Sequence, residues 1–264
     1  MIVTPAGNLY IGTSGYSYSD WVGPFYPTST SRADMLDYYA RFFPIVELNF
    51  SYYRLPDAAM MRRLLQKAGD SVRFSVKGHQ SFSHQRKYRR EDMRAFVQAL
   101  DPLADAGRLL GILWQFPFSF KYSRENAEYL VELCRGSRPH VPFVEFRHTS
   151  WFYHAVTGML ADGGACICSS DYPPLRGLPK PFANISGDYA YVRFHGRNSA
   201  KWYQHQHAYE RYDYLYSSGE LAGWQDKLKR LANLSKECYV FFNNHFQGQA
   251  VKNARMLRDM LKKR

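Results

Sequence analysis

Residues 190–198 read AYVRFHGRN. Tyr191, Val192 and Phe194 have the aromatic and β-branched character of a buried strand, yet Arg193 and His195 sit inside it and Arg197 follows Gly196. Side chains alternate along a strand, so Val192 and Phe194 share one face and Arg193 and His195 the other. A single strand of this kind is an oddity. Several of them, with the charged faces turned the same way, describe an apolar outer shell around a polar interior.

Working outward, the same parity recurs. The run 45–49 sets Val46 and Leu48 against Glu47 and Asn49, and 73–77 sets Phe74 and Val76 against Ser75 and Lys77. The run 142–147 sets Val144 and Phe146 against Glu145 and Arg147, while Trp114 and Phe116 flank Gln115. Two further runs end in polar residues, Ser169 and Asp171 in one, Asn243, Asn244 and His245 in the other. With 9–12, eight β-like runs are spaced along the chain, at 9–12, 45–49, 73–77, 109–116, 142–147, 165–171, 190–196 and 238–244. Helical periodicity fills most gaps, at 33–43, 57–68, 91–100, 125–135, 151–160, 220–234 and 249–263. Ser31 and Asp34 resemble a capping box before the first, and Ser123 is a plausible cap for the fourth.

Eight strand–helix units predict an α/β fold, a (β/α)8 TIM-type barrel formed as one domain over residues 1–264. The rhythm breaks between strands 6 and 7, where an irregular segment, 172–188, carries Pro173, Pro174, Pro179 and Pro181. An open doubly wound sheet is the rival. Its first turn would carry a nucleotide-binding glycine pattern, and GTSGYS (12–17) is neither GxGxxG nor a phosphate loop. In the barrel, helix-facing positions must be apolar, so the polar set faces the lumen. It gathers at the C-terminal strand ends, where barrel enzymes place their chemistry.

Composition narrows the function classes. The 264 residues are 45% hydrophobic, enough for a large core, with no apolar run of membrane-spanning length. The N-terminus, MIVTPAGNLYIG, lacks the basic start and apolar stretch of a secretory signal. Cys134, Cys166, Cys168 and Cys238 form no CxxC pair and read as reduced thiols of a cytoplasmic protein. A net charge of +12 favours anionic partners, and 21 tyrosines supply rings that stack on bases or sugars.

The segments after the strands should line one rim. They bring Tyr53 and Arg54, then His84, Arg86, Lys87, Arg89 and Arg90, then Arg197, Lys201, Trp202 and Tyr203. Three readings follow. In the first, the protein is an enzyme, a hydrolase or isomerase, acting on a phosphorylated or otherwise anionic substrate. Glu47, Glu145 and His195 move protons, while Asn49, Arg54, Lys77, His84, Gln115, Arg147, Asp171, Arg193, Arg197, Trp202, Asn243 and Asn244 bind the substrate. In the second, the basic aromatic rim binds nucleic acid without catalysis, with a steep salt dependence. In the third, the lumen is a small-molecule receptor. Set against all three, the charged lumen pairs internally and serves structure alone. No HExxH-like spacing is present and the cations oppose a metal, so no metal ligand is assigned; the cofactor, the oligomeric state and the exact partner stay unassigned, and no membrane partner is expected.

The stretches IGTSGYSYSDWVGPFYP, VELNFSYYRLP, FSVKGHQSFSH, WQFP, VEFRHTSW, YVRFHGRN and FFNNHFQGQAVKNA resemble, in order, the signatures of the YecE-like family, domain of unknown function 72. The likeness runs from about residue 9 to 256. It implies a TIM-type barrel and places Gly12, Ser14, Glu47, Asn49, Lys77, Glu145, Arg147, Arg193, His195 and Asn243 at family-like positions. Tyr16 stands where the family usually has Trp, and Ser83 where it has Thr; the ring and the hydroxyl survive both changes.

Overall fold

Eight parallel strands close on themselves. They are β2 (Gly7–Ser14), β3 (Ile45–Leu48), β4 (Arg73–Lys77), β5 (Leu109–Gln115), β6 (Pro142–Glu145), β7 (Cys166–Asp171), β8 (Tyr189–Phe194) and β9 (Glu237–Phe242). Each pairs with its successor, and β2 meets β9 from Asn8↔Glu237 to Thr13↔Phe242, which leaves the barrel no open edge. A short strand not foreseen from sequence, β1 (Ile2–Thr4), adds antiparallel to β2. The structure, a computed structural model, describes residues 2–4, 7–152 and 154–262.

The helices follow the periodicity with shifted ends. They are α1 (Met35–Ala40), α2 (Ala58–Ala68), α3 (Gln80–Ser83), α4 (Arg90–Gln98), α5 (Asp101–Asp105), α6 (Arg124–Gly136), α7 (His154–Asp162), α8 (Ser218–Leu234) and α9 (Gln249–Lys262). Positions 153 and 263 of the expected helices lie outside the described residues. Ser123 caps α6 by accepting from the Asn126 N–H, at 3.1 Å. The Ser31/Asp34 pair does not form a capping box. Ser31 donates to the Asp34 carboxylate itself, Asp34 makes no side-chain cap, and the helix starts one residue later. Residues 172–188 form turns and bends.

Parity organises the core. Val46, Leu48, Phe74, Val76, Val144, Val192, Phe194, Val240 and Phe242 belong to the cluster between strands and helices. Ile45, Leu113, Phe143, Cys168, Tyr191, Tyr239 and Phe241 form a second cluster that plugs the lower lumen. Leu110 joins that plug because the β4–β5 register slips between Phe74 and Ser75. The slip is carried at Gly111, where φ is +146° and a Cβ would sit 2.4 Å from the Val141 carbonyl oxygen, so only glycine fits. Above the plug, the lumen turns polar.

Candidate functional site

Arg193 stands at the centre of that polar layer, 1% exposed. Its Nη2 donates to Glu47 Oε1 at 2.7 Å and its Nη1 to Glu145 Oε2 at 2.5 Å. Three strands therefore meet in one charge-assisted fork, β3 through Glu47, β6 through Glu145 and β8 through Arg193. The remaining carboxylate oxygens are also occupied. Tyr191 OH donates to Glu47 Oε2 at 2.7 Å, and Tyr172 OH donates to Glu145 Oε1 at 2.8 Å.

His195, two residues along β8's direction, takes the same face. Its Nε2 lies 3.2 Å from Glu145 Oε2, and the Asn243 amide donates to its Nδ1 at 3.0 Å. That pattern is a neutral imidazole with its proton on Nε2. Burial lowers its pKa to about 4, reinforced by Arg193 and Arg147 and outweighing the pull of Glu145, so the contact is a hydrogen bond and not an ion pair near neutral pH. The Tyr172 ring stacks flat on the imidazole, with centroids 4.7 Å apart. Burial would raise Glu145, but Arg193, His195 and Arg147 hold it well below the usual carboxylate range.

A cavity of about 520 Å³ opens above this layer, at the C-terminal mouth of the barrel. Glu47, Asn49, Lys77, Arg193, Asn243 and His245 line it from the strand ends, with Tyr16, Tyr18, Arg32, Tyr53 and Tyr212 above. Lys77 is the unusual member. The ion pairs of this layer run Arg193–Glu47, Arg193–Glu145 and Arg147–Glu145, and among the described residues none includes Lys77. Its ammonium lies over the Tyr52 ring, 4.4 Å from the centroid. Burial, then Arg193 and Arg147, bring its pKa down to about 8. Around the same mouth, buried atoms of four residues lack hydrogen-bond partners among the described residues: Asn49 Oδ1, Arg193 Nε, His245 Nδ1 and Arg147 Nε, the last keeping only its 3.6 Å ion-pair contact with Glu145 Oε1. Unpaired buried groups are costly unless a ligand or water meets them.

Tyr212 was not singled out by sequence, being one of several tyrosines in 196–216. It comes from the short helical turn Ala208–Tyr212, beyond β8, and lines the cavity. Burial would raise its pKa, but Arg147, Lys77 and Arg211 outweigh that and hold it down at about 8. Tyr18 and Tyr191 were likewise missed as polar contributors. No local pattern separates them from packing aromatics.

The expected site residues divide. Glu47, Asn49, Lys77, Glu145, Arg147, Arg193, His195 and Asn243 gather at the cavity or directly beneath it. His84 stands nearby with its ring edge-on to Tyr52 at 4.9 Å, and burial, Lys77 and Arg147 lower it to about 4. Gln115 is 2% exposed and donates to the Phe116 carbonyl oxygen. Arg54 is exposed on the rim, outside the cavity lining. Trp202 is no open stacking surface. It is 2% exposed, packed edge-on to Tyr172, with the Arg147 and Arg211 guanidinia over its ring.

Asp171 corrects the lumen assignment. On β7, Cys166 and Cys168 face the lumen while Ile167 faces the helices, so Asp171 points outward. There it accepts from Arg197 Nε and Nη2 at 2.8 and 2.6 Å, Tyr216 OH at 2.9 Å and Trp224 Nε1 at 2.7 Å. Arg197 is thereby drawn to Asp171 and Glu220, away from the cavity. Asn244 is also diverted, donating to the Tyr214 carbonyl and Asn253 Oδ1 at 2.8 Å each. On the rim, Arg86 donates to Asn126 and Arg89 pairs with Asp92, so two of the four basic residues there already have partners.

The fold and this mouth define the class: a closed eight-stranded parallel barrel with a buried arginine–carboxylate layer beneath a polar cavity. The family described as "Protein of unknown function DUF72" matches residues 10–264, and the chain belongs to that family. It is 30% identical to the UPF0759 protein YunF of Bacillus subtilis (strain 168), over 96% of this chain and 94% of that one. Among solved structures it is similar to the DUF72 family protein TM1631 of Thermotoga maritima MSB8. The two share 41% identity at a TM-score of 0.89, covering 97% of this chain and all of the other. A DUF72 family protein of Enterococcus faecalis V583, 24% identical with a TM-score of 0.84 and covering 97% and 96% of the two chains, shares the fold. Among the described residues no helix is long and apolar enough to cross a membrane, and no three His, Cys, Asp or Glu side chains converge as a metal would require.

Proposed function

We propose that the mouth cavity binds a small anionic substrate, such as a phosphorylated metabolite, and turns it over by proton transfer. The observation that carries this reading is Lys77. It lines the cavity without a carboxylate partner, in a layer whose three cations, Lys77, Arg147 and Arg193, exceed its two anions, Glu47 and Glu145. One anionic charge balances that excess, and Arg193 Nε–H, without a hydrogen-bond partner among the described residues, adds a donor of the right sign. Glu47, Glu145 and His195, expected from sequence to move protons, fit a different task. Both carboxylates are wholly buried with each oxygen already accepting, and the imidazole is clamped between Glu145 and Asn243. They hold Arg193 in place, and Arg193 in turn supplies a fixed positive field under the substrate.

Calorimetric titration with inorganic phosphate tests the reading. Lys77→Met should weaken binding by about tenfold or more, the loss of one charge-assisted contact. A double rim variant, Lys87→Ala with Arg90→Ala, should bind phosphate as the parent does. The contrary result is phosphate indifference to Lys77 together with salt-steep oligonucleotide binding that vanishes in the rim variant. That outcome would move the function to the rim, as a nucleic-acid binder.

A further inference from the structure

We propose that Tyr212 is the residue that takes the proton from the bound anion and returns it, through a phenol oxygen set against Lys77 and Arg147. This deepens the anion-site reading and rests on it. Tyr212 comes from the segment beyond β8 and lines the cavity together with Lys77, which ends β4. Arg147 lies over the ring of Trp202, which packs against Tyr212. The Tyr212 ring lies against His245, centroids 5.3 Å apart, and edge-on to Trp202 at 6.3 Å.

The backbone on either side is pinned. The Asn198 amide donates to the carbonyls of Glu210 and Asp213, at 3.1 Å each. Arg211 Nε donates to the Trp202 carbonyl at 2.9 Å, and Tyr209 stacks on Phe246. Contacts on both sides thus position the turn that carries this tyrosine, as a proton-transferring group requires.

The charged surroundings favour the ionised oxygen. Lys77 from β4, Arg147 beyond β6 and Arg211 beside it are the cations facing Tyr212, and Tyr18, Tyr52, Tyr53 and His245 are the titratable neighbours. These three cations are the strongest charged influences on it. Tyr212 and Lys77 are each brought down to about 8, and each charge favours the ionised form of the other. In the step proposed, the phenolate oxygen takes a proton from an acidic C–H or O–H of the substrate. The electron pair left on the substrate faces the Lys77 ammonium and the Arg147 guanidinium. The proton then returns from Tyr212 to the product, and nothing is oxidised or reduced.

Near-ultraviolet tyrosinate absorbance, followed against pH on the whole chain, reads this directly. Of 21 tyrosines, one should ionise in a separate step near pH 8, ahead of the rest. Tyr212→Phe should remove that step, Lys77→Met should move it up, and saturating inorganic phosphate should also move it up, because a second anion competes for the same cations. A step that persists in Tyr212→Phe, or no step below the ordinary tyrosine range, overturns the assignment of Tyr212. Phosphate binding without the step overturns Tyr212 alone. A step that ignores phosphate overturns the anion site beneath it, and with it the role given to Tyr212.

Discussion

Two carboxylates, Glu145 and Asp171, end neighbouring strands, are wholly buried and are each paired to an arginine, yet they face opposite sides of the sheet. Asp171 lies between the barrel and α8, where Arg197, Tyr216 and Trp224 supply donors to both of its oxygens. That network is closed and ties the segment after β8 to the barrel wall. Glu145 belongs to an open network. Its own oxygens are filled, but Arg193 keeps an Nε–H without a hydrogen-bond partner, and among the described residues Lys77 beside it pairs with no carboxylate. Burial and pairing alone therefore do not mark a site. The mark is the donor left over when the pairing is complete.

The largest expected effect breaks the two networks in turn. Arg193→Met leaves Glu47 and Glu145 without their common cation and should cost about 3–5 kcal/mol by chemical denaturation. It should also weaken phosphate binding. Asp171→Asn removes a charge but keeps an acceptor for its donors, so roughly 1–3 kcal/mol is expected. Phosphate affinity of the folded protein should then be unchanged. If Asp171→Asn lost phosphate binding as fully as Arg193→Met, the division into a closed and an open network would fail.

A smaller effect sharpens the contrast through pH. Lys77 holds its proton less tightly when folded, with a pKa near 8 against an ordinary 10.5. Between those values the unfolded chain carries more protons, so folding stability should rise with pH. Tyr212, lowered from 10.0 to about 8, acts in the same direction from pH 8 to 10. Below pH 8 the cost of burying the ammonium is present in full. Lys77→Met should therefore be more stable than the parent at pH 7, by roughly 2 kcal/mol, and should lose most of the rise seen in urea midpoints between pH 8 and 9.5. An unstable Lys77→Met would make Lys77 a structural residue.

How far the sequence reached depended on contrast between the faces of each strand. On β3, β4, β6 and β8, Val or Phe alternates with Glu, Lys or Arg, so parity was plain and Glu47, Lys77, Glu145 and Arg193 were placed correctly. On β7 the run CICSSD has small or mildly polar residues on both faces, so the side of Asp171 was invisible until Trp224 was seen donating to it. The bulge at Leu110–Gly111 and the strand β1 were equally silent. Gly196, two residues past the end of β8, has φ of +89°. A Cβ there would lie 2.8 Å from Tyr214 Cβ, so the glycine permits the turn that carries 197–216 across the mouth. Tyr212 was beyond reach because tertiary packing alone selects it from Tyr209, Tyr212, Tyr214 and Tyr216.

On the proposed function, Lys77 meets an anion in the lumen mouth. Anomalous diffraction from crystals soaked in tungstate, a phosphate analogue visible at low occupancy, tests it most directly. An anion is expected in the mouth cavity within contact of Lys77 and Arg147, absent from crystals of Lys77→Met. Tungstate confined to Lys87 and Arg90 on the rim, with only water beside Lys77, would contradict it.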